Sequence, residues 1–255
     1  MMLWNADLYE SYGQERLQPA LDLLNRVPDG TYSRIIDIGC GSGMSTLPLE
    51  RRFPEAEIFG VDFSDEMLQK ARQRSDKIRW IQRDCSQPLA DLGKFDLVFS
   101  NAFLQWLPNQ EDFLASIVSL LNENGLFAVQ VPNYDHMPVK HCVDKTAALF
   151  GRLFQNQDLT VCHNRCLPEY YDILCEHYGE VTIWKTDYVH VLDDHQSIVD
   201  FVSATGIRPY LQVLDREEQS AFVQALLAEL EQAYPTQKNG KVLFAFERIE
   251  FLAKR

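Results

Sequence analysis

A run of glycines after an apolar segment is the first feature of this sequence that could do chemistry. Residues 37–43 read DIGCGSG and place Gly39, Gly41 and Gly43 directly after the apolar run Arg34–Ile38. A strand that ends in glycines before a helix brings backbone N–H groups close to a ligand, because glycine lacks a Cβ and tolerates positive φ. The run predicts a turn that holds a nucleotide-like cofactor, although glycines alone are also compatible with a purely structural turn.

The spacing of these glycines departs from the dinucleotide-binding fingerprint. Gly-x-Gly-x-x-Gly fits Gly39 and Gly41 but needs a third glycine where Met44 stands. Asp37 is a second departure, because its carboxylate would repel a bound pyrophosphate. A carboxylate at this place suits a cationic ligand, so we discount a nicotinamide-dependent oxidoreductase.

Polar side chains also follow the next three apolar runs. Asp62, Asp84 and Asn101 each come at or just after the end of such a run, as Asp37 does at the first. Open α/β sheets bind ligands at the carboxyl ends of their strands. The four polar residues therefore indicate one binding site, whereas each alone would be taken for a solvated loop residue.

These residues must be positioned by alternating strands and helices. The predicted strands of the first half are Arg34–Ile38, Glu57–Val61, Ile78–Ile81, Phe95–Phe99 and Leu126–Val131. Strands separated by helix-like segments are typical of a parallel, doubly wound α/β sheet. Two further predicted strands, Glu180–Tyr188 and Val242–Leu252, enclose a helix-rich stretch that we interpret as an inserted cap.

We expect a single domain over residues 1–255 with a cofactor-binding core at 30–133. Residues from about 134–178 and 193–240 form the helical cap, on the substrate side. The formal charge of −13 disfavours a nucleic-acid partner. The first residues lack the features of a secretory signal, and no apolar stretch approaches the length of a membrane span. We expect a cytoplasmic monomer without a membrane partner.

The motif DIGCGSG resembles the first motif of the class I S-adenosylmethionine-dependent methyltransferases. Segments along nearly the whole chain are similar to the trans-aconitate 2-methyltransferase family: WNADLY (4–9), NAFLQWLPN (101–109), YYDIL (170–174), IWKTDYVH (183–190) and ATGIRPYL (204–211). The resemblance implies a Rossmann-like sheet of seven mostly parallel strands, with a helical cap between the last two strands. It also implies methyl transfer from S-adenosylmethionine to a carboxylate of a small polycarboxylic acid, trans-aconitate first, which leaves S-adenosylhomocysteine.

The resemblance further assigns roles within the cofactor site. It implies that Asp62 accepts hydrogen bonds from both ribose hydroxyls, since one carboxylate matches two adjacent hydroxyls, and that Asp84 faces the adenine amine. The implied cofactor site comprises Asp37, Gly39, Gly41, Gly43, Asp62, Phe63, Met67, Asp84, Cys85 and Asn101.

The acceptor side follows from the chemistry of a carboxylate. A carboxylate is ionised at pH 7 and needs no general base to attack a sulfonium methyl, so we expect no catalytic acid or base. A polyanion needs a cation, and Arg208 is the first candidate because its guanidinium can hold a carboxylate through two hydrogen bonds. Tyr188 and His190 are further candidate donors, Trp106 a candidate wall and Tyr9 a candidate cover. A surface arginine, a core tyrosine, a hydrogen-bonded buried histidine and plain aromatic packing remain the alternatives.

Two other interpretations stay open. In one, the acceptor is another small or carrier-bound carboxylate; in the other, the chain binds S-adenosylmethionine without turnover. The cysteines and histidines at 141–142, 162–163 and 166 are spaced too loosely for a zinc site, so we expect no metal.

Overall fold

Seven strands form one sheet in the computed structural model, which describes residues 13–203 and 205–255. The strands are β1 (Arg34–Ile38), β2 (Glu57–Asp62), β3 (Arg79–Gln82), β4 (Phe95–Asn101), β5 (Leu121–Pro132), β6 (Glu180–Leu192) and β7 (Val242–Lys254). Their order across the sheet is β3-β2-β1-β4-β5-β7-β6. β1 to β5 pair in parallel, and β7 runs antiparallel to β5. The carboxyl ends of β1, β2 and β4 therefore meet at one edge.

Helices connect most of these strands. They are α1 (Gly13–Arg26), α2 (Thr46–Arg52), α3 (Asp65–Arg74), α4 (Gln110–Ile117), α5 (Pro138–Leu149), α6 (Leu167–His177), α7 (His195–Ser203), α8 (Arg208–Val213) and α9 (Arg216–Ala233). α7 to α9 lie between β6 and β7, so the predicted fold class, with its helical insertion between the last two strands, is confirmed. Within the described residues, no helix has the length and apolarity that a bilayer crossing requires.

The chain divides into two compact units. The core unit comprises Arg16–Pro132, Arg165–Thr186 and Arg248–Arg255. Apolar side chains fill both faces of its sheet. α4 and α6 cover one face, and α1 and α2 cover the other. This double covering explains why the parallel strands read as nearly continuous apolar runs.

The helical unit comprises Asn133–Asn164 and Asp187–Glu247 and has a hydrophobic core of its own. Phe222, Leu226 and Leu230 of α9 are fully buried, as their helical spacing predicts. Aromatic rings make up much of this core. The Tyr210 ring stacks on Phe222 with centroids 5.7 Å apart.

α6 belongs to the core unit, whereas the sequence placed residues up to 178 with the helical additions. The reason is a buried contact with α4. The hydroxyl of Tyr170 donates to Gln110 Oε1 at 2.9 Å, and the side chains of Tyr170 and Leu174 pack against the sheet. Local sequence shows that α6 is a helix, but only its tertiary contacts show which core it joins.

Candidate functional site

The glycine turn between β1 and α2 is held against the end of β2. The N–H groups of Gly39 and Cys40 both donate to the carbonyl of Val61, at 2.8 and 3.1 Å. Gly39, Gly41 and Gly43 have φ values of +75°, +53° and +82°, in the region that L side chains avoid. The three glycines, spaced two residues apart, thus occupy three positions of the turn at which the backbone has a positive φ.

The three glycines differ in how much room a side chain would have. A Cβ on Gly39 would lie 2.3 Å from the Phe103 ring, and one on Gly43 would lie 2.7 Å from Trp80. A Cβ on Gly41 would meet no atom within 4 Å. The first and third glycines are therefore required by packing, while the middle one leaves open the side from which a ligand can approach.

Asp62 at the end of β2 is fixed beside this open side. Its Oδ2 accepts from the N–H of Gly41 at 2.8 Å, and its Oδ1 accepts from the N–H of Ser64 at 2.8 Å. The side chain is half-buried. Each oxygen has further acceptor capacity, so the carboxylate can receive two adjacent hydroxyls in a fixed orientation.

Asp37 is fully buried next to the turn. Its Oδ2 accepts from the hydroxyls of Ser45 at 2.9 Å and Thr46 at 2.6 Å, whereas its Oδ1 has no hydrogen-bond partner among the described residues. Burial raises the pKa of this carboxyl to about 6; the two hydroxyls lower it and the charge of Asp62 raises it. A buried anion with one unpaired oxygen favours a cation as its ligand.

Asp84 and Cys85 follow β3 and differ in exposure. Asp84 is exposed, and its Oδ1 accepts from the N–H and the hydroxyl of Ser86 at 2.9 and 2.7 Å, which lowers its pKa. Cys85 is buried, and desolvation raises the pKa of its thiol to about 12. Its thiol is therefore a packing group and not a nucleophile.

The first turn of α3 lies directly after Asp62. The Ser64 hydroxyl accepts from the N–H of Met67 at 3.3 Å and caps the helix, as its position before Asp65 and Glu66 predicts. Phe63 is 73% exposed. An exposed aromatic ring next to a fixed carboxylate offers an apolar surface to a flat ligand.

Asn101 ends β4 opposite Gln130 of β5. Its Oδ1 is buried and makes no hydrogen bond within the described part of the chain. The next residue, Ala102, has a φ of +54°, and its carbonyl accepts from the indole N–H of Trp106 at 3.2 Å. Trp106 is 46% exposed, in the core unit.

Three candidate acceptor residues belong to the helical unit. Arg208 begins α8 and is exposed, and its guanidinium makes no hydrogen bond or ion pair with the described residues. Tyr188 is half-buried on β6. His190 is buried, with its ring stacked on Phe201 at a centroid distance of 5.5 Å. Tyr9 lies outside the described residues.

The cysteine and histidine residues of the helical unit are not arranged around a common point. No group of three His, Cys, Asp or Glu side chains within residues 13–203 and 205–255 could hold a metal ion. The six cysteines are free thiols.

Sequence reasoning missed several residues that shape the site. Ser45 and Thr46 hold Asp37, and two hydroxyl residues at a predicted helix start were an available signal. Phe103 and Trp80 close the spaces behind the glycines, and Gln130 faces Asn101. These three depend on strand pairing and had no local signal.

Comparison with known proteins gives a consistent result. The family described as "Methyltransferase domain" matches residues 36–129. The trans-aconitate 2-methyltransferase of Enterobacter sp. (strain 638) is 41% identical over 252 residues, which cover 99% of this chain and 98% of the relative. The chain belongs to the trans-aconitate 2-methyltransferase family. The Escherichia coli (strain K12 / DH10B) member is 39% identical over 257 residues, with the same coverage of both chains.

Solved structures agree with this family in fold. The YcgJ protein from Bacillus subtilis superposes with a TM-score of 0.61 at 17% identity, covering 93% of this chain and 98% of that one. The predicted class I methyltransferase sheet is thereby confirmed, and the predicted trans-aconitate 2-methyltransferase family is confirmed by the nearly full-length relatives.

The residues present fit S-adenosylmethionine, which carries an ammonium and a sulfonium but no phosphate. Asp62 offers two fixed oxygens for ribose hydroxyls, and the unpaired oxygen of Asp37 suits a cation. The open side of Gly41 lets the backbone come close to the ligand.

Replacing the first two glycines should separate folding from ligand binding. Gly39→Ala forces a Cβ into Phe103 at positive φ, so we expect a clear loss of thermal stability. Gly41→Ala meets no neighbour and costs only about 1 to 2 kcal/mol of backbone strain. Its Cβ enters the side open to ligand, so S-adenosylmethionine affinity should fall at least about tenfold. Calorimetric titration and thermal melting measure both; an unchanged affinity in Gly41→Ala would remove this turn from the cofactor site.

Proposed function

We propose that this chain transfers the methyl group of S-adenosylmethionine to a carboxylate of trans-aconitate, giving the monomethyl ester and S-adenosylhomocysteine. The observation that carries the proposal is similarity over nearly the full length to proteins named trans-aconitate 2-methyltransferase. A shared glycine motif alone would support only the cofactor, whereas the similarity covers 99% of this chain and so includes the helical unit, in which we place most of the acceptor contacts.

When bound, S-adenosylmethionine supplies a sulfonium methyl: a carboxylate oxygen forms a bond to the methyl carbon, the carbon–sulfur bond breaks, and its electron pair stays on sulfur. No proton moves, so the chain needs no general base. Its residues align the two reactants and exclude water from a step in which opposite charges disappear.

The core unit supplies the cofactor site in this proposal. Asp62 receives the ribose hydroxyls, and Asp37 faces the cationic methionyl part. Asp84 takes the adenine amine. The remaining cofactor contacts are assigned to Gly39, Gly41, Gly43, Phe63, Met67, Cys85 and Asn101.

The acceptor contacts in this proposal come from Arg208, with Tyr188 and His190 as further donors and Trp106 as a wall. The exposed guanidinium of Arg208, without a partner among the described residues, supports its role. His190 has the weaker support, because three phenylalanine rings surround its imidazole. We further propose a cytoplasmic monomer that acts on a small molecule; its net charge of −13 argues against nucleic acid.

The direct test is incubation of the purified chain with labelled S-adenosylmethionine and a panel of di- and tricarboxylic acids. We expect trans-aconitate to give the highest kcat/KM and a monomethyl ester identified by mass spectrometry. A different acid that is turned over faster would replace trans-aconitate. Binding of S-adenosylmethionine without methyl transfer to any acid would show that the chain binds the cofactor without turnover.

Arg208 variants test the anion clamp. Arg208→Ala should lower kcat/KM for trans-aconitate, because one carboxylate loses its charged partner. The expected loss of transition-state stabilisation is about 2 to 4 kcal/mol. Arg208→Lys keeps the charge without the planar fork and should lose part of this. A monocarboxylate has no second anion to hold and should be affected much less. Equal losses on both acceptors, or a matching loss of cofactor affinity, would make Arg208 a structural residue.

The raised pKa of Asp37 predicts that cofactor binding depends on pH. The pKa of Asp37, raised by burial to about 6, means that the ionised form is disfavoured in the free protein and that a bound cation offsets this cost. S-adenosylmethionine affinity should therefore hold above pH 6 and fall by up to about tenfold per pH unit below it. Asp37→Asn should bind more weakly at pH 7 and lose this dependence. Titration calorimetry from pH 5 to 8, with circular dichroism to confirm folding, decides between the two behaviours.

A further inference from the structure

A row of polar side chains, two of them buried, crosses three strands of the core unit. In the strand register, Asn101 of β4 lies opposite Gln130 of β5, and Gln130 lies opposite Glu250 of β7. Directly opposite residues point to the same face of a sheet. Asn101, Gln130 and Glu250 thus form one polar row, with successive side chains separated by about the 4.8 Å spacing of neighbouring strands.

The polar row has unmet hydrogen-bonding capacity. Gln130 is 1% exposed, yet neither its Oε1 nor its Nε2 makes a hydrogen bond within the described part of the chain. The buried Oδ1 of Asn101 beside it also has no partner there. A buried polar atom without a partner costs about 1 to 3 kcal/mol, so native proteins rarely keep three together without a function.

Glu250 adds an acid at the far end of the row. It is 1% exposed, and Thr186 of β6 donates to its Oε2 at 3.3 Å. Burial raises its pKa to about 7. Thr186, Arg248 on its own strand and Arg26 of α1 lower this pKa, while Asp22 of α1 raises it. Near pH 7 a large fraction of Glu250 is therefore neutral and can donate a hydrogen bond to an anion.

We propose that Gln130 and Glu250 bind a carboxylate group of the acceptor and help to determine which acid is methylated. This inference rests on the proposed function. The Gln130 amide N–H and the Glu250 carboxyl O–H are two donors on adjacent strands, which is the pattern that the two oxygens of one carboxylate require.

The strand order favours the acceptor over the cofactor as the ligand of the row. Asp62, proposed to hold the ribose, ends β2, and the glycine turn follows β1. The row begins on β4 and continues through β5 to β7, on the side of β1 away from β2. A cofactor with its ribose held at β2 and its methionyl part at β1 would leave the β4, β5 and β7 side of the sheet edge to the acceptor.

Gln130→Met tests the row, with Gln110→Met as the matched control. Gln110 is a buried glutamine of the same unit whose amide donates to the carbonyl of Leu104 at 2.9 Å and accepts from Tyr170. Gln110→Met should lower the melting temperature by about 2 to 4 °C or more and leave the KM for the acceptor unchanged. Gln130→Met loses no side-chain hydrogen bond to the described residues, so its melting temperature should stay or rise, while the KM for trans-aconitate should rise about tenfold.

Binding without turnover provides a second measurement. Trans-aconitate should raise the melting temperature of the S-adenosylhomocysteine-loaded wild type, and this shift should shrink in Gln130→Met. Affinity for S-adenosylmethionine should stay within about twofold of wild type. A lowered melting temperature with unchanged KM would make Gln130 a structural amide. Weakened binding of S-adenosylmethionine with an unchanged KM for the acceptor would assign the row to the cofactor site. Either result overturns the proposal.

Glu250→Gln tests the donor role of the acid. In the wild type, Glu250 loses its proton above pH 7, so the acceptor KM should rise between pH 7 and 8.5. Glu250→Gln keeps an N–H donor at every pH, and its KM should stay flat over this range. The same pH dependence in both proteins would exclude Glu250 from acceptor binding.

The wild-type assay separates the two proposals. If the wild type methylates a different acid, trans-aconitate fails as the substrate, and the KM and melting comparisons are made with that acid. If the wild type methylates trans-aconitate but Gln130→Met and Glu250→Gln behave like wild type, only the polar row fails.

Discussion

The hydrogen bond from the N–H of Gly41 to Asp62 Oδ2, 2.8 Å long, joins the turns after β1 and β2. It can form only if the two strands are parallel neighbours that end at the same edge, as the pairing of Ile38 with Val61 shows. Gly41, which donates this bond, has a φ of +53°, a conformation that glycine adopts without steric cost. Sheet order, glycine spacing and the position of the acid are therefore one constraint, and the proposed cofactor site depends on it.

The same sheet edge carries polar atoms that folding leaves without partners. Asp37 Oδ1, Asn101 Oδ1 and the Gln130 amide are buried in the core unit with no hydrogen bond among the described residues. Each opposes folding by an amount comparable to a lost hydrogen bond. Apolar cores on both faces of the sheet offset this cost. A ligand that supplies the missing partners gains affinity because the protein has already removed water from these groups.

Structure refined the sequence-based elements where long-range contacts act. β5 begins at Leu121 and not at Leu126, because Phe95 of β4 pairs with Leu121 before a register shift. This boundary depends on a residue that is distant in sequence.

The sequence by itself determined the strand–turn–helix pattern, the three positive-φ glycines and the acids at the strand ends, since each follows from composition and spacing within a few residues. It also determined the family, because the similarity extends over nearly the full chain. Only the tertiary structure decided that Phe103 and Trp80 back the glycines, that α6 joins the core unit, and that Gln130 lies between Asn101 and Glu250. Strand order selects these neighbours, and strand order is set by packing both faces of the sheet, which no local spacing records.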